Sequence, residues 1–192
     1  CTQCMECIAA CPDTALPNTA QDLATVLRTA IINYVAEPVS RAALLKAVPL
    51  LDAALHPRML AAVQAKEHPT VHALLAEELG KLAGVSAEAR AQLLAVIEQI
   101  PLAYNKVNAI FLTKEKKEAG AGGVFAIFVS DLCKGCAECV TECGDHQALV
   151  MAPETEELNS HHLTGTAFMN LLPDTSRKYL GLYDDEHPLD SK

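Results

Sequence analysis

Apolar residues recur with helical spacing through the middle of the chain. Between residues 23 and 35 they return every three or four positions, which predicts an amphipathic helix ending near Glu37 and Pro38. The same periodicity continues to residue 100, with interruptions at proline and glycine. We therefore expect an all-α segment of four to six helices between residues 17 and 104, with the apolar stripes forming a mutual core.

The predicted helix boundaries fall at capping residues and at helix breakers. Ser40 is placed to cap a second helix, which Pro49 either kinks or restarts and which closes at His56. The remaining boundaries follow the same signals: a third helix from 58 to about 66, a fourth from 71 to 82 before Gly84, and a fifth that starts after Ser86 and ends before Pro101.

Short β-like runs follow this helical segment. Residues 109–113 and 124–129 are rich in apolar and aromatic residues, and a charged, glycine-containing stretch separates them. We predict that they pair as a β hairpin leading into Cys133, and that residues 147–151 form a further short strand. Residues 158–192 combine a weak helix around 163–172 with a polar ending at 184–188, which is typical of an arm or a linker.

All eight cysteines lie in two runs of identical spacing near the two ends of the chain. The spacing C-x-x-C-x-x-C-x-x-x-C is that of bacterial ferredoxins, in which the first three thiolates bind one [4Fe–4S] cluster and the fourth binds the other. The spacing therefore predicts two clusters, one held by Cys1, Cys4, Cys7 and Cys143 and the other by Cys133, Cys136, Cys139 and Cys11.

Two other uses of these cysteines stay open. An even number of cysteines also fits a disulfide framework, although such frameworks belong to short secreted chains rather than to one of 192 residues. Each run alone could supply the four ligands of a structural zinc ion. Neither alternative accounts for the third and fourth cysteine of both runs, so we favour two iron–sulfur clusters.

Composition and charge narrow the class of partner. Aromatic residues make up only 4% of the chain and Trp is absent, so the core must be aliphatic, which favours helices. The net charge of −9, which thiolate-bound clusters would make more negative, disfavours nucleic acid and anionic membranes. We find no apolar run that would span a membrane and no signal-peptide pattern, and the reduced cysteines favour the cytoplasm.

The histidines carry weaker signals than the cysteines. His56, His68 and His72 lie on or beside predicted helices, where we expect caps or solvated side chains rather than metal ligands. We expect His161 and His162 to be an exposed pair.

The second cysteine run and its flanks resemble a known family. Residues 124–143, followed by 147–151, are similar to the ferredoxin-type domain of pyruvate:ferredoxin (flavodoxin) oxidoreductases and related 2-oxoacid:acceptor oxidoreductases. Residues 1–12 resemble the first cluster motif of that domain. Two features depart from the family pattern: Gly144 replaces the proline that usually follows the fourth cysteine, and the long helical insertion has no counterpart.

The resemblance implies an α+β fold with a bacterial dicluster-ferredoxin-like core. That core would comprise residues 1–16 and 105–157, built from short antiparallel strands and cluster-binding helices, with the helical insertion over 17–104 and an arm or linker over 158–192. Its implied role is to relay single electrons from a thiamine-diphosphate 2-oxoacid (pyruvate-type) oxidoreductase centre to ferredoxin or flavodoxin.

The resemblance also assigns catalysis to other parts of a parent enzyme. No Gly-Asp-Gly thiamine-binding signature occurs in the chain, so thiamine diphosphate and Mg would belong to the parent, and we expect no catalytic residue here. The expected partners are the other domains of the parent oxidoreductase, which could form a homodimer, and ferredoxin or flavodoxin as acceptor.

The first residue of the chain is itself an expected ligand, Cys1, rather than Met. We therefore expect a segment of a larger 2-oxoacid:ferredoxin oxidoreductase, and we expect the cluster bound by Cys1, Cys4 and Cys7 to be lost first. The alternatives are a free-standing dicluster ferredoxin, and an interaction or assembly module in which the clusters are structural.

Overall fold

A computed structural model describes residues 1–180, which form eight α-helices, two short 3-10 turns and one two-stranded antiparallel sheet. This mixture of helices and strands agrees with the predicted α+β class. None of the helices in this range is long and apolar enough to cross a lipid bilayer.

In chain order the elements are α1 (Glu6–Ala10), β1 (Asn18–Asp22), α2 (Leu23–Tyr34), α3 (Pro38–Ala65), α4 (Val71–Gly80), α5 (Ala87–Glu98), α6 (Leu112–Lys117), β2 (Gly123–Ile127), α7 (Glu138–Cys143) and α8 (Glu156–Leu171), with 3-10 turns at Gly144–His146 and Arg177–Tyr179.

The sheet joins two segments that lie on either side of the helical insertion. β1 pairs with β2 in a register that places Asn18 opposite Ile127 and Asp22 opposite Gly123. Backbone hydrogen bonds continue this pairing towards the cysteine runs, since the N–H of Phe128 donates to the carbonyl of Pro17 at 2.8 Å. The predicted hairpin is therefore wrong: β2 lies where it was predicted, but its partner is the polar stretch before α2.

Residues 109–113 form a turn and the start of α6 instead of a strand. Ile110 and Phe111 are fully buried there. Their apolar and aromatic side chains indicated a buried strand, but a helical turn buries them instead. The following lysine-rich stretch, predicted as a flexible turn, continues α6 and buries Glu115. Residues 147–151 are not a strand either, and Val150 is 75% exposed.

Four helices of the insertion, α2 to α5, pack into a common core. α2 and α5 follow the prediction closely, and the Ser86 hydroxyl caps α5 by accepting from the N–H of Ala89 at 3.1 Å. α2 packs against α3 and α5, and α4 packs against the same two helices. Fully buried aliphatic residues form the centre of this core: Leu23, Leu27, Ile31, Leu44, Leu55, Leu75 and Leu93.

The predicted second and third helices are one continuous helix, α3. Pro49 and Pro57 lie inside it, but both are exposed, so the carbonyl groups that they leave without a helical partner can be hydrated. The cap also differs from the prediction. Glu37 rather than Ser40 caps the helix, because its carboxylate accepts from the N–H groups of Val39 and Ser40 at 2.7 and 2.6 Å.

His56 is buried, contrary to the expectation of a cap or a solvated side chain. Its Nδ1 lies 2.8 Å from Glu115 Oε2 and its Nε2 lies 3.4 Å from Asp52 Oδ1. Glu115 also accepts from the N–H groups of Gly120 and Gly122, each at 2.9 Å. This cluster ties α3 to α6 and to the loop that enters β2.

The hydrogen bonds and charges within this cluster shift the pKa of His56 and the pKa of Glu115 in opposite directions. Burial opposes protonation of His56, but the hydrogen bonds and charges of Asp52 and Glu115 outweigh it and raise the pKa of the imidazole. Burial likewise opposes ionisation of Glu115, yet the N–H donors of Gly120 and Gly122, together with His56, lower its pKa. The pair is therefore most stable as an imidazolium and a carboxylate.

The chain after α8 returns to the sheet and packs along β1. The side-chain amide of Gln21 donates to the carbonyl of Pro173 at 2.6 Å, and the N–H of Ala20 donates to Thr175 Oγ1 at 3.3 Å. Tyr179 donates its hydroxyl to Asp22 Oδ1 at 2.5 Å and packs directly on Gly123. α8 is longer than the weak helix predicted at 163–172, and the polar ending predicted at 184–188 lies outside the described residues.

We predict that Gly123→Ala destabilises the protein by about 2 kcal/mol, because the new methyl group would overlap the Tyr179 ring and force it off β2. Chemical unfolding followed by circular dichroism measures the change. Gly80→Ala is the matched control, since nothing lies within 4 Å of its added methyl group and we expect it to be neutral or slightly stabilising. Equal stability of the two variants would contradict the packing of Tyr179 on β2.

We also predict that the ion pair of His56 makes stability depend on pH. Because its folded pKa is raised, the stabilisation is complete below the unfolded pKa near 6.5 and is lost as the pH rises through the folded pKa. The lowered pKa of Glu115 adds stability above pH 4.5 that is lost on acidification through its folded pKa. The free energy of unfolding should therefore fall on both sides of this window.

His56→Ala should cost about 3 kcal/mol within the window, because it leaves a buried carboxylate without its partner, and it should remove the loss of stability above the window. The control is His72→Ala, since that histidine is only partly buried on α4. Denaturant titrations at several pH values measure both effects. The assignment is wrong if the two variants show the same pH profile.

Candidate metal centre

The two cysteine runs adopt the same backbone conformation. The residue before the second cysteine is left-handed in both, with φ of 62° at Gln3 and 70° at Gly135. The residue after it is left-handed as well, with φ of 69° at Met5 and 68° at Ala137. Such alternation can turn successive N–H groups to one side of a loop, where they form a concavity suited to an anion.

A short helix follows this loop in each run. α1 contains Cys7 and ends at Ala10, directly before Cys11, while α7 contains Cys139 and ends with Cys143. The two helices pack against each other. The fourth cysteine of each run is thereby carried beside the opposite run, as the crossed ligand sets require.

Four of the predicted ligands share one cavity, which we call site one: Cys1, Cys4, Cys7 and Cys143. The cavity has a volume of about 430 Å³, within the range of roughly 300–1,000 Å³ that proteins use for small ligands and cofactors. Cys7 and Cys143 are each only 7% exposed. Burial, followed by the neighbouring Cys4, Cys143 and Cys139, raises the pKa of the Cys7 thiol.

The other four predicted ligands form site two: Cys133, Cys136, Cys139 and Cys11. Burial, followed by the neighbouring Cys133, Cys11 and Cys136, raises the pKa of the Cys139 thiol. Cys133 and Cys136 are exposed, and the other two are partly buried. Site two is therefore more open to solvent than site one.

Backbone N–H groups donate to sulfur at three of the cysteines. Ala15 donates to Cys11 Sγ and Ala148 donates to Cys143 Sγ, each at 3.2 Å, and Gln3 donates to Cys1 Sγ at 3.4 Å. The turn after Cys143 is one residue longer than the turn after Cys11, and Gly144 takes a φ of 47° within it, which proline could not adopt. The fourth sulfur thus has an N–H donor in both runs, with Pro12 after Cys11 in one and Gly144 after Cys143 in the other.

Cysteine thiolates are the donor type that [4Fe–4S] clusters use, with four for each cluster. Within residues 1–180, no group of three or more Cys, His, Asp or Glu side chains converges closely enough to hold one metal ion. A [4Fe–4S] cluster gives each of its four thiolates a different iron, so the sulfurs need not meet at one point. All eight cysteines are free thiols, as cluster ligation requires, and none forms a disulfide.

α8 contributes residues to site one that the sequence reasoning did not place there. Its Leu158, His161, His162 and Gly165 line the same cavity as the cysteines, and His146 lines it as well. Of the predicted exposed pair, His161 is exposed and His162 is partly buried. The sequence holds no signal for this placement, because it depends on how α8 docks.

Comparison of the chain with protein-family models, with curated proteins and with solved structures found no match.

We predict that cysteine reactivity in the metal-free, reduced chain follows burial. Cys4, Cys133 and Cys136 should react first with N-ethylmaleimide, while Cys7 and Cys143 should react last, because they are buried and the raised pKa of Cys7 lowers its thiolate fraction. Peptide mass spectrometry over time gives the order. A sample unfolded in urea should lose the order, and equal native rates at Cys4 and Cys7 would contradict the geometry of site one.

Proposed function

We propose that the chain is an electron-relay domain that binds two [4Fe–4S] clusters. In this role it passes single electrons from the thiamine-diphosphate centre of a 2-oxoacid (pyruvate-type) oxidoreductase to ferredoxin or flavodoxin. When bound, each cluster would supply one-electron redox chemistry. The reaction with the 2-oxoacid would belong to other domains of that enzyme.

The crossed grouping of the cysteines is the observation that carries this proposal. Cys7 has Cys143 of the opposite run among its neighbours, and Cys139 has Cys11. Structural zinc sites that each took all four ligands from one run would not need a cysteine of the opposite run beside them. Sharing cysteines between the runs brings the two cluster positions close together, which favours electron transfer between them.

The surroundings of the sulfurs suit redox centres rather than purely structural ones. The N–H donors at Cys1, Cys11 and Cys143 would stabilise negative charge on the thiolates, and such donors are among the determinants of cluster potential. The exposure of Cys133 and Cys136 leaves site two accessible to a partner protein. This exposure favours an electron carrier over a module whose clusters only hold the fold together.

The partners and the location follow from the same proposal. The acidic balance of the chain, −9 before any cluster is counted, complements a basic patch on an electron-transfer partner. The family resemblance favours the other domains of a parent oxidoreductase as donor and a cytoplasmic ferredoxin or flavodoxin as acceptor.

The first test is anaerobic reconstitution of the wild-type chain, which should bind about eight iron and eight sulfide per chain. Chemical analysis and electron paramagnetic resonance measure the content. Zinc at one or two ions per chain, with no sulfide, would refute the proposal. Rapid oxidation of the reduced domain by ferredoxin or flavodoxin, followed by stopped-flow absorbance, tests the relay itself.

The second test decides how the cysteines are shared. Cys143→Ala should remove one cluster, and adding Cys4→Ala should remove little more, because both residues serve site one. Adding Cys136→Ala instead should remove the second cluster too. If each run held its own cluster, the two double variants would show the reverse pattern of iron content.

A further inference from the structure

The cavity of site one is lined by the cysteines together with residues of β2 and α8. Much of the remaining lining is apolar, since Phe125, Ile127 and Phe128 contribute to it from β2 and the residue that follows it. A cluster in site one would therefore have a partly apolar environment.

Histidines are the exception to this apolar lining. Apart from the cysteines, the only ionisable side chains among the described residues that line the cavity are His146, His161 and His162. No Asp, Glu, Lys or Arg of residues 1–180 lines it. Neither cysteine run itself contains a histidine, so these imidazoles come to site one from outside both runs.

The face of α8 fixes where His161 and His162 lie. They precede Gly165 by four and three residues, so all three share one face of the helix. Gly165 lies against Phe128, whose ring would be 3.0 Å from an added Cβ, and the Thr166 hydroxyl donates to the carbonyl of Val129 at 3.4 Å. Phe168 is fully buried, and its ring centroid lies 6.0 Å from that of Tyr34. α8 is thus held firmly at its C-terminal half, while its N-terminal half extends along site one.

We propose that His161 and His162 are positioning residues for electron transfer, which raise the reduction potential of the cluster in site one and leave that in site two unchanged. Reduction adds a negative charge, which an apolar cavity disfavours. Imidazole N–H donors or positive charge beside the cavity stabilise that added charge. The inference rests on the proposed function, because it concerns the potential of a bound cluster.

The experiment compares paired substitutions in the reconstituted full chain. His161→Leu with His162→Leu removes both donors, while His161→Gln with His162→Gln keeps an amide donor at each position. His68→Leu with His72→Leu is the control, since these histidines belong to the helical insertion. Redox-poised titrations followed by electron paramagnetic resonance give the two midpoint potentials of each variant.

We expect the Leu pair to lower one potential, the Gln pair to lower the same potential less, and the control pair to change neither. Repeating the titration with Cys136→Ala, which leaves only site one filled, should retain the shift. If the Leu pair fails to hold its site-one cluster, the single variants His161→Leu and His162→Leu decide, and an unchanged potential in both overturns the inference. A shift confined to site two would overturn it as well. Failure of the wild-type chain to bind clusters would instead refute the proposed function.

Discussion

The antiparallel pairing of β1 with β2 is the constraint on which the rest of the structure depends. It closes a long loop, and the conformational entropy of that closure must be offset by other interactions. The helices inside the loop supply them, because α2 starts at Leu23 directly after β1, while Val124 and Phe125 of β2 are buried in the same core. The packing of the helical insertion stabilises the pairing of β1 with β2. Because this pairing continues towards the cysteine runs, it also holds Cys11 beside the second run.

The backbone conformation within each cysteine run is set locally. It is repeated in both runs and does not depend on the pairing of β1 with β2. Gln3, Met5 and Ala137 adopt left-handed conformations although none is glycine, at a cost of roughly 1 kcal/mol each. The cost recurs at the matching positions Met5 and Ala137, whereas glycine avoids it at Gly135, the counterpart of Gln3, so the left-handed conformation belongs to the loop and not to one environment. The two loops share this backbone conformation, and the tertiary structure decides which cysteine of the opposite run lies beside each of them.

This division explains how much of the molecule could be predicted from the sequence. Cysteine spacing and helix caps such as Ser86 are local signals. The spacing identified the two cysteine runs, and the helix signals predicted the boundaries of α2 and α5. β1 carries no such signal, because its residues Asn18–Asp22 are polar and become a strand only through pairing with β2 and hydrogen bonds from the C-terminal segment. The burial of His56 depends in the same way on Glu115, which is distant in sequence. The strand predicted at residues 109–113 is wrong because a helical turn buries Ile110 and Phe111 instead.

The same reasoning limits what the two cysteine motifs can say about function. Their spacing and backbone are nearly equivalent, yet Cys1 is partly buried where Cys133 is exposed, and Cys7 is buried where Cys139 is only partly buried. The cover over site one comes from β2 and from α8, a helix outside both motifs. Two proposed clusters with the same ligands would then differ in solvent access and in nearby donors, which are the properties that set a cluster's potential. If the proposed clusters are bound, the order in which electrons occupy the two sites would depend on the docking of α8 and not on the motifs alone.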